Sequence, residues 1–193
     1  NTRKLLFLLN NFTMLIIQVT IWTTFRIKGS NRTKCFGFFM IEWKVSKNLV
    51  PLDVAVSRMQ KRVSNIYNGK QNQLIWLLEH PHVFTAGTSS KEDHLLNKNL
   101  LPVVRSGRGG SFTYHGPGQR IIYVMLNLAL YGKDIKYFVW NLEEWIINVL
   151  ANLGIIGERR KQGVGVWVID RNKEHPANEL KIASIGLRVT KWI

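Results

Sequence analysis

Apolar residues return every third or fourth position from Leu52 to Ile66, through Ala55, Val56, Met59 and Val63. That spacing predicts an amphipathic helix, with Pro51 suited to its start and Gly69 to its end. A second series with the same period runs through Ile135, Phe138, Val139, Leu142, Trp145, Ile146, Val149, Leu150 and Leu153. Asp134 is placed to cap that helix at its start and Gly154 at its end. Ile41–Val45 alternates apolar and polar residues, as a short strand does. Leu74–Leu78 and Ile121–Leu126 are unbroken apolar runs. Both predict buried strands, although period alone leaves the first open to a helix. Val83–Thr85, Val103–Val104, Gly165–Val168 and Lys181–Val189 predict the remaining strands, and polar Asp170–Glu179 a loop. This mixture predicts an α/β or α+β domain, a mixed sheet with flanking helices.

Residues 5–25 form an uncharged stretch long enough to span a bilayer, which takes about 20 residues. Asn10, Asn11, Thr13, Gln18, Thr20, Thr23 and Thr24 interrupt it, so it makes a poor membrane span. It lacks the small-residue cleavage pattern of a secretory signal. Composition changes at Met40. Residues 1–39 are therefore expected to be a basic, apolar leader outside the natural domain, and residues 40–193 the domain itself.

A length of 193 residues suits one ordinary domain, and 46% hydrophobic with 20% charged residues excludes a disordered chain. The single cysteine, Cys35, excludes an internal disulfide, and no Cys/His spacing suggests a structural zinc site. The net charge is +15; residues 1–39 supply six basic side chains and no acid, leaving +9 for the remainder. Such a surface attracts acidic partners across a Debye length of about 8–10 Å. Charge alone equally suits a basic protein with no partner. No basic helix with interleaved aromatics supports nucleic-acid binding.

The densest chemistry lies in Arg108-Gly109-Gly110-Ser111-Phe112-Thr113-Tyr114-His115-Gly116-Pro117-Gly118-Gln119. Glycines at 109 and 110 let a ligand approach backbone N–H groups, which can cradle an anion or carbonyl oxygen. Gly116-Pro117-Gly118-Gln119 has the proline and glycine of a type II turn. Arg108 offers a fixed fork of donors, and His115 can donate or accept near neutral pH. Each taken singly reads more readily as a turn or a structural histidine. No Walker A or Rossmann pattern is present, which gives no sign of a nucleotide cofactor. Lys181-Ile182-Ala183-Ser184-Ile185-Gly186 puts an amine at the head of a short apolar strand. Alone, Lys181 would read as an exposed edge lysine.

Taken as strings, these segments resemble the octanoyltransferases. Leu74-Ile75-Trp76-Leu77-Leu78-Glu79-His80-Pro81-His82-Val83-Phe84-Thr85-Ala86-Gly87 is similar to a third segment of that family. The resemblance covers residues 40–193. It implies a catalytic core like that of biotin and lipoate protein ligases, incomplete at its C-terminal end. It implies transfer of octanoyl from octanoyl-acyl carrier protein to a lysine of a lipoyl domain. The acceptors would be those of 2-oxoacid dehydrogenase complexes and the glycine cleavage H protein. The reaction would run through a cysteine thioester without ATP, cofactor or metal, in a cytoplasmic monomer bound to neither membrane nor nucleic acid. On that resemblance Lys181 lowers the thiol pKa and acts as acid or base. Arg108, Gly109, Gly110, Ser111, Phe112, Thr113, Tyr114 and His115, with Ser184, Ile185 and Gly186, line the acyl pocket. His80 is a second-tier neighbour. The family's cysteine follows the matching lysine, beyond Ile193, and Cys35 lies upstream of every matching segment. Two alternatives stay open: an inactive truncated remnant, and an ATP-dependent lipoate–protein ligase, whose glycine segment continues with histidine-aspartate where this one has His115-Gly116.

Overall fold

The computed structural model describes residues 19–23, 41–95, 97, 100–131, 134–161, 163–169 and 179–189. Its strands are β1 (Val19–Thr23), β2 (Ile41–Val45), β3 (Gln73–Leu78), β4 (Val83–Ala86), β5 (Val103–Arg105), β6 (Phe112–His115), β7 (Ile121–Met125), β8 (Gly157–Glu158), β9 (Val166–Ile169), β10 (Glu179–Ala183) and β11 (Ile185–Val189). Among the described residues the α-helices are α1 (Leu52–Tyr67) and α2 (Ile135–Asn152).

The main sheet has the order β11-β1-β7-β3-β2, and two three-stranded sheets run β10-β9-β8 and β5-β4-β6. β3 is antiparallel to β7, pairing Leu74 with Met125 and Leu78 with Ile121. β2 is parallel to β3, and β1 is parallel to both β7 and β11. Alternate side chains of β3 and β7 serve two cores. Leu74, Trp76, Leu78, Ile121, Tyr123 and Met125 pack with Ala55, Met59 and Val63 of α1. Ile75, Ile122 and Val124 pack with Leu142, Ile146 and Leu150 of α2. Helices on both faces explain the unbroken apolar runs, since neither side of these central strands meets water. Each well-buried Leu, Ile or Met stabilises by about 1.5–3 kcal/mol.

α2 is capped at both ends. Asp134 Oδ1 accepts the Tyr137 N–H at 2.9 Å, and Gly154 ends the helix with Ile155 N–H on Leu150 O and Gly154 N–H on Ala151 O, both at 2.9 Å. This pair of bonds is a Schellman closure. α1 starts after Pro51 without a side-chain cap.

Three local expectations change. Lys181–Val189 is not one strand: the chain leaves β9 at Ser184 and enters the main sheet, so β10 and β11 belong to different sheets. Phe112–His115 pairs antiparallel with β4, so a third of the Arg108–Gln119 segment, expected to be a glycine loop, is strand. The loop expected to run to Glu179 gives way to β10 at that residue; its other residues lie outside the described ones. Val19–Thr23, inside the expected leader, is a strand of the main sheet. The rest of residues 1–39 lies outside the described residues. Among the described residues no helix is long and apolar enough to cross a membrane.

Candidate functional site

β4 and β6 place Thr85 opposite Thr113, which brings Thr85, Arg108 and His115 together on the α1 side of the main sheet. Arg108 is only 4% exposed. Its Nη2 donates to Thr85 O at 2.9 Å and to Thr85 Oγ1 at 2.7 Å, and its Nη1 donates to Gly109 O at 3.0 Å. Its Nε is buried without a hydrogen-bond partner. Among the described residues no carboxylate bonds to it. Burial works against its charge, and the Tyr123 hydroxyl opposes that effect.

The proton positions follow from the donors and acceptors. Gln119 Nε2 donates to Tyr114 O at 3.0 Å, which turns Gln119 Oε1 toward His115 Nδ1 at 2.7 Å. An amide oxygen only accepts, so Nδ1 carries the proton and Nε2 keeps its lone pair. The Thr85 hydroxyl, 3.1 Å away, then donates to His115 Nε2 while accepting from Arg108. His115 is 1% exposed, and burial lowers its pKa to about 4, so it is neutral at pH 7. The resulting chain runs in one direction from Arg108 through Thr85 and His115 to Gln119.

A second chain lies beside it. Tyr123 donates to His80 Nε2 at 2.7 Å, and His80 Nδ1 donates to Val50 O at 2.5 Å. His80 is fully buried, with its pKa lowered first by burial. Burial pushes the Tyr123 hydroxyl pKa well above its usual range. The His80 and His115 rings meet edge to face at 5.8 Å. Both nitrogens of His80 are engaged, so its role is to tie Val50, just before α1, to β7.

The glycine loop is clasped to the turn after β4. Gly87 N–H donates to Ser111 O, Thr88 N–H to Arg108 O and Ser89 N–H to Gly110 O, at 3.2, 2.9 and 3.1 Å. A Cβ on Gly87 would lie 2.1 Å from Gly110 O and 2.8 Å from Arg108 Nη1, so only glycine fits. The Gly109 N–H, expected to face a ligand, donates to Leu187 O at 3.2 Å and fastens the loop to β11. Ser111 Oγ lies 3.0 Å from His94 Nδ1, and Tyr114 stacks on His82. Gln119 N–H donates to Gly116 O at 3.1 Å and Gly118 has φ +83°, the type II turn expected there.

A cleft of about 380 Å³ opens beside Arg108. Leu52, Val56 and Met59 of α1 form an apolar wall, with Thr85, Arg105, Arg108, Tyr123 and Arg188 also lining it. Ser184, Ile185 and Gly186 are not among the residues lining this cleft: Ser184 lies between β10 and β11, and Ile185 and Gly186 run in the main sheet, where Gly186 pairs with Thr20.

Lys181 stands apart, on the α2 side. Its Nζ lies 4.7 Å from the centre of the Trp167 ring. Gly165 makes room for it, since a Cβ there would lie 2.6 Å from Lys181 Cε and 2.4 Å from Ala183 O. The Gly165 N–H donates to buried Glu143 Oε1 at 2.8 Å. The residue is exposed by surface area, yet its amine end is partly desolvated, which lowers its pKa; Glu143 acts in the opposite direction. Among the described residues no group of three or more His, Cys, Asp or Glu has the arrangement of a metal site.

Residues 52–193 match the lipoyl protein ligase A/B catalytic domain. The chain belongs to that family. An octanoyltransferase of Bartonella henselae is 52% identical over 157 residues, 79% of this chain and 64% of that protein. The chain therefore spans just under two thirds of that relative's length. An octanoyltransferase of Bartonella tribocorum is 46% identical over 181 residues, covering 88% of this chain and 74% of that one. A solved structure of an archaeal bi-partite lipoate protein ligase and its E2 lipoyl domain, from Thermoplasma acidophilum, aligns with TM-score 0.43 and 15% identity over 86% of this chain and 54% of that one. Thr85 and Gln119 complete the Arg108 centre. Each fell within a segment quoted for the family resemblance, but no residue spacing gave either a role.

Proposed function

We propose that this chain binds the octanoyl thioester of acyl carrier protein and serves octanoyl transfer to a lysine of lipoyl domains. The acceptors are those of 2-oxoacid dehydrogenase complexes and the glycine cleavage H protein, and the protein acts as a cytoplasmic monomer. One observation carries this reading: a buried guanidinium, held by neutral oxygens alone, lines a cleft with an apolar wall. A cation in low dielectric stabilises negative charge developing on a thioester oxygen. The wall of Leu52, Val56 and Met59 takes the acyl chain. The names of the relatives agree with this chemistry.

Transfer then has two steps. A thiolate attacks the thioester carbonyl, and the carrier's thiolate leaves. The acceptor lysine amine attacks the acyl-thioester, loses its proton and frees the thiolate. Lys181, with its lowered pKa, is suited to favour a thiolate while protonated and to accept a proton when neutral; because it stands on the α2 side, the thiol it serves must meet the thioester from that side, across from the apolar wall. Cys35 lies outside the described residues.

The test has two arms. Octanoyl-pantetheine is titrated against the full chain and against Arg108→Met and Arg108→Lys. Tight binding, weakened about tenfold or more in the methionine variant and less in the lysine variant, supports the reading. The chain is then mixed with octanoyl-acyl carrier protein and a lipoyl domain without ATP, and octanoylation of the domain is read by mass. Binding without transfer identifies an acyl-binding remnant. An octanoyl-adenylate formed from ATP and octanoate identifies a ligase. Failure to bind the thioester overturns the proposal.

A further inference from the structure

On the flank of α1 away from the Arg108 cleft, Arg58, Lys61, Arg62 and Asn65 fall at the spacing i, i+3, i+4, i+7. They line one wall of a groove of about 340 Å³, with Lys44 of β2 on the other side and Trp76 at its floor. Lys44 Nζ and Arg58 Cζ lie 5.0 and 6.0 Å from the Trp76 ring centre. Arg62 is paired with Glu42. Among the described residues Lys44, Arg58 and Lys61 have no carboxylate partner. Three uncompensated cations thus converge on one groove. Glu42 also lines the groove but is engaged by Arg62, so the cations outnumber the acid and the groove favours anions from outside.

The form of the groove bears on its occupant. The stripe runs about 10 Å along the helix, at 1.5 Å per residue. That length suits several carboxylates spaced along one face of an acidic helix better than a single small anion. A nucleic acid would need more: tight duplex binding engages about 6–10 phosphates, and single strands stack on exposed aromatics. Here the aromatic floor, Trp76, is 2% exposed.

We propose that the Arg58–Lys61–Arg62 stripe, with Lys44 opposite, docks an acidic helix of the carrier protein that delivers the acyl group. The identity of the partner rests on the proposed function; the position and chemistry of the surface rest on the groove. The two lie on opposite flanks of one helix, so a carrier held on the stripe has its thioester arm free to round α1 and enter the Arg108 cleft.

The experiment measures binding of octanoyl-acyl carrier protein to the full chain, its Arg58→Glu/Lys61→Glu variant and a Lys136→Glu control on α2. All three altered side chains are exposed, so folding, checked by circular dichroism, is retained. The expected result is binding that weakens with salt, a loss of about tenfold or more in the double variant, and no more than about a twofold change in the control. Octanoyl-pantetheine, which has no protein part, should bind all three chains alike. Equal loss in control and double variant, no carrier binding by the wild-type chain, or tighter binding of a DNA duplex than of the carrier would overturn the docking proposal. Carrier binding through the stripe with no affinity for octanoyl-pantetheine would leave the docking surface standing and remove the acyl-transfer reading instead.

Discussion

Arg108 sets the character of its centre because, among the described residues, its hydrogen-bond partners are neutral oxygens. Thr85 contributes two of those oxygens and also completes the bonding of His115. Thr85→Val removes the hydroxyl and leaves His115 Nε2 unpaired in a dry interior. The expected cost is about 1–3 kcal/mol, read as a lower urea midpoint at unchanged slope, with Thr85→Ser restoring most of it. The two buried histidines make a pH prediction. His115 has a folded pKa of about 4 and His80 is also lowered, both by burial. Above the unfolded value of about 6.5 neither state binds the proton. Below it the unfolded chain takes up protons that the folded chain refuses, so stability falls as pH drops, the His115 contribution until about pH 4 and the His80 contribution in the same direction. The slope is about 1.4 kcal/mol per pH unit for each fully shifted group. Urea unfolding at pH 7, 6 and 5 reads it. A flat response, or a charged His115 ring by NMR at pH 5.5, would contradict the assignment of protons.

At the level of elements, the sequence is readable where one rule dominates. β3 and β7 are covered on both faces, so their apolar runs stand out, and α1 and α2 each show one clean stripe. β6 was hidden because glycines and a proline crowd both its ends, while its pairing with β4 is a long-range fact. The break at Ser184 was equally illegible, since both halves are apolar and only the change of sheet separates them. The site shows the same division. Arg108 and His115 were visible as chemistry, whereas Thr85 earns its place only through the β4–β6 register, and Gln119 through the turn that returns it to His115. The clasp between the turn after β4 and the glycine loop gives a sharp test of this element. Gly87→Ala forces a methyl onto the Gly110 carbonyl, 2.1 Å away, and backbone on both sides must move. The expected loss is about 2 kcal/mol or more, with faster hydrogen exchange at Thr88 and Ser89. Unchanged exchange at those amides would show that the clasp does not hold the loop.

Across the molecule the main sheet divides the chemistry in two. The Arg108 centre and its cleft lie with α1, and Lys181 lies with Glu143 of α2. The two sides are joined by the chain crossing at Ser184 and by the Gly109 N–H on Leu187 O. Packing on one face should therefore act on one half of the site. Met59, 2% exposed, belongs to the α1 core and also lines the cleft, whereas Ile146, 1% exposed, belongs to the α2 core. Truncating either to alanine should cost about 2–5 kcal/mol, and the double variant should lose close to the sum, since the side chains share no core. Ligand binding should separate them. Met59→Ala removes part of the apolar wall and is expected to weaken octanoyl-pantetheine severalfold. Ile146→Ala, at a similar loss of stability, should leave that affinity unchanged while altering the titration of Lys181. Equal effects of both variants on thioester binding would mean that global loosening, rather than the α1 wall, governs the cleft, and the division of the site by the sheet would have to be abandoned.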